Sequence, residues 1–168
     1  MRIAAAVAAI AAALALQTTL TGLVIRGTAA LDLVLIVVVY IALTSGPVTG
    51  LLAGTLGGLI QDALSSGVIG IGGLAKTIVG FGAGVVGTQF IVTAPLPRFV
   101  VFVAGTVLHA TVFMGLYTVL DLRQFPAPVA AVAGQALGNG FLGVVGAQVI
   151  EWVPGFLASR RARRPLKR

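Results

Sequence analysis

Charge is scarce in this sequence: only 9% of its 168 residues are Asp, Glu, Lys or Arg, against roughly 25% in an ordinary soluble domain. There are four acids in all, one histidine and no cysteine. The missing cysteine excludes disulfides, thiol catalysis and cysteine metal sites. With so few acids and a single histidine, no nucleophile, base and acid set and no metal-ligand cluster stands out, so neither catalytic nor metal residues are assigned and no cofactor is expected. Aromatics are 7%, and the alternating dyads of a transmembrane barrel are absent, which leaves the α-helix as the spanning element. No phosphate-binding loop is present either: Gly80-Phe81-Gly82-Ala83-Gly84 lacks dinucleotide spacing and follows no strand.

What fills the chain is apolar. Hydrophobic residues make up 58% and mean hydropathy is +1.11, values that describe an all-α, polytopic membrane bundle. Six spans are expected, over 3–24, 29–44, 47–61, 74–92, 99–120 and 129–153. The start has signal-peptide features, with Arg2, an alanine-rich core and Ala13-Leu14-Ala15, but the apolar run continues to Ile25 and favours a retained helix. In that helix Ala4/Ala8/Ala12 and Ala5/Ala9/Ala13 offer close-packing faces. The run LVLIVVVYIAL in the second span is expected to be lipid-facing or centrally buried, with Asp32 favoured by the helix dipole at its start. The third span has only ~15 residues, or ~22 Å. It is expected as a short crossing helix, with a re-entrant segment as the alternative.

The net charge of +7 is mostly a tail: Arg160, Arg161, Arg163, Arg164, Lys167 and Arg168 lie within the last nine residues. A polybasic run beside a membrane helix suits anionic lipid at the cytoplasmic leaflet, and no nucleic-acid partner is expected. The chain thus divides into a transmembrane domain over 1–158 and a cytoplasmic tail over 159–168. An even number of spans puts both termini on one side, and the basic tail puts that side in the cytoplasm. Arg26 and Arg123 then fall in outer loops and Arg98 inside.

The richest stretch is 46–84. Gly46, Gly50, Gly54 and Gly58 recur every four residues, and Gly80 and Gly84 repeat the spacing in the next span. On helices these are smooth stripes that another backbone can approach closely, offered here as a docking surface for a partner helix. Asp62 and Lys76 flank the outer turn between the two spans. They are expected either to pair locally or to snorkel, with a contact from Gln61 and Asp62 to a partner as the sharper alternative. His109 in the fifth span and Gln135 and Asn139 in the sixth are expected as interhelical hydrogen-bonders.

The elements Gly46-Pro47-x-x-Gly50, Gly54, Gly58-Leu59-Ile60-Gln61-Asp62-Ala63-Leu64-Ser65, then Gly70 and Leu74-Ala75-Lys76-Thr77-Ile78-Val79-Gly80, resemble the MreD family of rod shape-determining membrane proteins. Leu31-Asp32-Leu33 and the run to Leu43 resemble that family's second span. Two departures are Leu31, where members often have proline, and Gly72-Gly73, where they often have a polar residue. The resemblance implies a non-enzymatic inner-membrane subunit of the cell-elongation machinery that supports peptidoglycan synthesis. Its partners would be a bitopic MreC-like protein, an MreB-type filament, and a RodA-type glycosyltransferase with its transpeptidase. It also implies a fold similar to the substrate-binding subunits of energy-coupling-factor vitamin transporters. Such a subunit is the alternative function, with Asp62, Lys76 and Gln135 as outer-side candidates. An intramembrane enzyme around His109 is a third class.

Overall fold

The computed structural model describes residues 3–20, 31–65, 67–122, 125 and 128–162, with the side chains of 20, 128 and 153–162 left aside. Arg26, Arg123 and the tail from 163 onward therefore lie outside the described residues. Six helices and no strand are present among those described: α1 (Ile3–Leu20), α2 (Leu33–Ser45), α3 (Pro47–Leu64), α4 (Ile71–Gln89), α5 (Pro95–Val119) and α6 (Pro128–Ala162). Three of them, α4, α5 and α6, are long and apolar enough to cross a membrane, while α1 and α2 are apolar but shorter.

Local chemistry sets the ends of these helices. Asp32 is the N-cap of α2, its Oδ1 accepting from the Leu35 backbone N–H at 2.9 Å, so the helix starts at Leu33, later than hydropathy suggests. Gly46, at φ +88°, makes the corner between α2 and α3, and Pro47 follows at the first helical position, where its missing N–H is not needed. α3 runs unbroken for 18 residues through Asp62 to Leu64, ~27 Å of helix and three residues beyond the span expected at 47–61. Gly70, at φ +107°, is the cap from which α4 starts at Ile71, earlier than the expected 74. At the other end of the chain α6 continues to Ala162, past the boundary expected at 158.

Of the two roles open to the β-branched second span, the structure selects the central one. α2 packs against all five other helices, and Val34, Leu35, Val38, Val39, Ile41 and Ala42 are wholly buried. One side of α2 joins Ile10, Ala13 and Leu14 of α1, and another joins Val79 and Ala83 of α4 and Phe102 of α5. In α1 it is therefore the Ile10/Ala13/Leu14 side that packs, and Ala4, Ala8 and Ala12 are exposed.

The tightest contact in the bundle is the antiparallel α3/α4 hairpin. A Cβ added at Gly50 would lie 2.3 Å from the Gly80 carbonyl oxygen, one at Gly54 would lie 2.2 Å from that of Lys76, and one at Gly58 would lie 2.6 Å from Gly73 Cα. Gly80 meets Gly50 and Gly84 meets Pro47 in the same way. The glycine stripes expected to receive a partner are thus turned toward each other, and Gly46 is a turn residue. Small residues recur on both helices because each backbone fills the space left by the other. Thr55 and Thr77 hydroxyls meet across the same seam at 2.8 Å.

Candidate functional site

Asp32, Asp62 and Lys76 collect at the end of the bundle that carries the α3–α4 turn. Asp62 and Lys76 do not pair, which corrects the expectation of a local ion pair. Lys76 Nζ lies 2.7 Å from Asp32 Oδ2, deep between α2 and α4, with both side chains almost fully excluded from the surface. It also lies 3.1 Å from His109 Nε2 on α5. Lys76 sits in the second turn of α4, on the face turned to α2, so its ammonium reaches Asp32 directly. Asp62 instead serves a backbone: its Oδ2 accepts from the Gly70 and Gly73 N–H groups at 2.9 and 3.0 Å. The close approach requires glycine at 72, where a Cβ would fall 2.1 Å from Asp62 Oδ1. A carboxylate there also complements the positive end of the α4 dipole.

Two further groups complete the buried centre. Asn139 of α6 is fully buried, its Oδ1 accepting from the Asp32 N–H at 3.0 Å and its Nδ2 donating to Thr106 Oγ1 at 3.2 Å. Thr106 passes its own hydrogen to the Phe102 carbonyl. Gln17 of α1, which sequence reasoning passed over, brackets the start of α2 by donating to the Leu31 carbonyl at 3.0 Å and accepting from the Leu33 N–H at 2.8 Å. A glutamine inside an alanine-rich span was the available signal. Every helix that touches the start of α2 through a polar side chain therefore does so around Asp32. A charge pair this dry is expensive unless its remaining valences are met; the Leu35 N–H bonds the carboxylate and His109 Nε2 the ammonium, while Asn139 holds the Asp32 backbone.

Above this centre opens a cavity of about 280 Å³, whose walls include Asp32, Lys76, His109, Gln61, Asp62 and Gln135. One wall is an aromatic ladder along α5. His109 stacks on Phe113 with centroids 5.7 Å apart, Phe113 meets Tyr117 at 4.7 Å, and Tyr117 meets Phe125 edge-on at 6.1 Å. Among the described residues, two buried side-chain polar atoms have no hydrogen-bond partner, Gln61 Oε1 and His109 Nδ1.

The opposite end of the bundle has a second feature the sequence did not disclose. Arg98, buried at the first turn of α5, forms a two-pronged pair with Glu151 of α6 at 3.0 and 2.5 Å, and its Nε donates to the Val92 carbonyl. The residues lie 53 apart, so no local pattern announces them. Among the described residues no group of three or more His, Cys, Asp or Glu could hold a metal ion.

An all-helical bundle with three helices long and apolar enough to cross a membrane, and a charge pair sealed inside it, describes a polytopic membrane protein. Its family follows from the sequence profile of the rod shape-determining protein MreD, which matches residues 3–138, and the chain belongs to that family. The match spans α1 to α5 and the first part of α6, including Asp32, Asp62, Lys76 and His109. The chain is accordingly a rod shape-determining membrane protein. No curated protein and no solved structure matches it, so the likeness to vitamin-transporter subunits stays an expectation.

Proposed function

We propose that the protein is a non-enzymatic scaffold of the cell-elongation machinery in the bacterial inner membrane, with both termini cytoplasmic, that docks the transmembrane helix of an MreC-like bitopic partner. Through that partner it supports peptidoglycan synthesis by the RodA-type glycosyltransferase and its transpeptidase, in register with the MreB-type filament. The observation that carries this is the MreD family match over residues 3–138. The basic tail, held to anionic lipid, supports the orientation. In that orientation the polar cavity faces outward and the Arg98–Glu151 pair faces the cytoplasm.

The packing supports one docking face. Since the glycine stripe is occupied by α4, the partner helix meets the opposite side of α3, where Val48, Leu52, Leu56 and Ile60 form an exposed apolar row at the same four-residue spacing. A comparable row on α6, through Phe141, Val145 and Val149, lies beyond the matched region. Because the chain has no cysteine, single cysteines report contacts without background. Leu52→Cys and Leu56→Cys should crosslink to a cysteine-bearing MreC-like transmembrane helix in the membrane, and Phe141→Cys should not. Equal crosslinking from both helices, or none from α3 while the complex still co-purifies, would overturn the assignment of this face.

A further inference from the structure

The cavity beside α5 is more elaborate than a scaffold needs. Its wall groups divide by depth. Deep inside, Lys76 is held by Asp32 at 2.7 Å and donates toward His109 Nε2 at 3.1 Å. An imidazole that accepts on Nε2 beside an ammonium is neutral and carries its one proton on Nδ1. That N–H is buried and unpartnered, on a residue that lines the cavity and is only 7% exposed. Nearer the α3–α4 turn the free valences are of the other kind. Gln61 Oε1 is a buried acceptor with nothing to accept. Asp62 uses Oδ2 for two backbone N–H groups and has no cationic partner among the described residues.

Charge narrows the chemistry further. Lys76 is neutralised by Asp32, so the described wall carries one negative charge in excess, that of Asp62. Phe113 and Tyr117 line the same cavity, and aromatic ring faces attract cations. An anion is disfavoured, and a purely apolar guest would leave Gln61 Oε1 and His109 Nδ1 unsatisfied at roughly 1–3 kcal/mol each.

We propose that this cavity binds a compact organic ammonium that also bears a neutral carbonyl or hydroxyl. The ammonium donates to Gln61 Oε1 and Asp62 against the aromatic wall, and the carbonyl accepts from His109 Nδ1. A volume of about 280 Å³ admits something the size of one amino-acid residue and excludes a nucleotide or an extended lipid headgroup. The chemistry is that of an amino group on a short peptide or of a free amino-acid amide. This goes beyond the scaffold function and does not depend on it.

The test uses the full-length protein in lipid nanodiscs and ligand-observed NMR. The probes are L- and D-alaninamide as free amines, a short peptide ending in the same free amine, and N-acetylalaninamide as the control without an ammonium. Saturable binding by an amine probe, absent with the acetylated control, is expected. Binding confined to the peptide would mark a polypeptide source, and equal binding of the alaninamides a free small molecule; either supports the site. Asp62→Asn, which keeps an oxygen for the α4 cap, should weaken binding by about tenfold or more. Should that variant fail to fold, Gln61→Met removes the other acceptor without touching the cap and should also weaken it. No saturation with any amine, equal saturation with the acetylated control, or unchanged affinity in the folded variants would overturn the proposal.

Discussion

Removing the ammonium at the centre should cost far more than removing the whole ion pair. Lys76 and Asp32 face each other at 2.7 Å with 3% and 6% of their side-chain surface exposed. At an effective dielectric of about 20, unit charges at that distance attract by about 6 kcal/mol, which the several kcal/mol lost in drying each ion largely offset. The pair as a unit is therefore near neutral in stability. Lys76→Met leaves the Asp32 carboxylate buried with only neutral donors, at a loss of ~3–5 kcal/mol, and Asp32→Asn strands the ammonium at a similar loss. The double variant strands neither, and its asparagine still caps α2, so it should lose only ~1–3 kcal/mol. The cycle then has a coupling energy of about 3 kcal/mol or more, beyond the range of most neighbouring pairs. Reversible unfolding in mixed micelles, or steric trapping in a bilayer, measures all four corners. Additive single effects, with coupling below about 1 kcal/mol, would refute the claim that these two charges solvate each other.

Two more outcomes follow from the packing. Gly50→Leu should prevent the α3/α4 hairpin from closing, since even its Cβ would lie 2.3 Å from a backbone oxygen. Gly82→Ala, where added atoms meet open space, should raise stability by up to ~1 kcal/mol on helix propensity. Membrane yield and melting of the two variants separate the cases, and equal behaviour would remove the backbone-contact argument. At the opposite end, Glu151→Gln should cost only ~1 kcal/mol or less, because that carboxylate is half exposed. Arg98→Ala should cost clearly more, since a buried residue also gives up its bond to Val92. A reversed order in thermal unfolding would contradict the geometry.

How much of this was legible in the chain differs by kind of feature. Helix number and order were open to hydropathy and to the Gly46-Pro47 corner. The length of α3 was obscured because Gly57, Gly58, Gln61 and Asp62 depress its apolar character, although all four belong to the helix. Asp32 at the head of α2 was visible as a helix-start carboxylate, but its partner was not. Asp62 and Lys76 are only 14 residues apart in the chain, which suggested a hairpin pair. Helical geometry turned Lys76 toward α2 and left Asp62 to the α4 backbone, 8 to 11 residues ahead of it.

Composition alone determined that this chain is a helical membrane protein, because a backbone in hydrocarbon must satisfy itself and so few charges can be placed there. The four-residue glycine spacing likewise determined that two helices would lie very close. Which surface those glycines meet was a tertiary decision: α4 presents a matching stripe at the far end of a short turn, so the chain fills its own groove before any partner can. The assembly of Asp32, Lys76, His109 and Asn139 was tertiary as well. Each belongs to a different helix, and only the crossing of α2 with α4, α5 and α6 brings them within bonding distance, as a lone charge in a membrane demands.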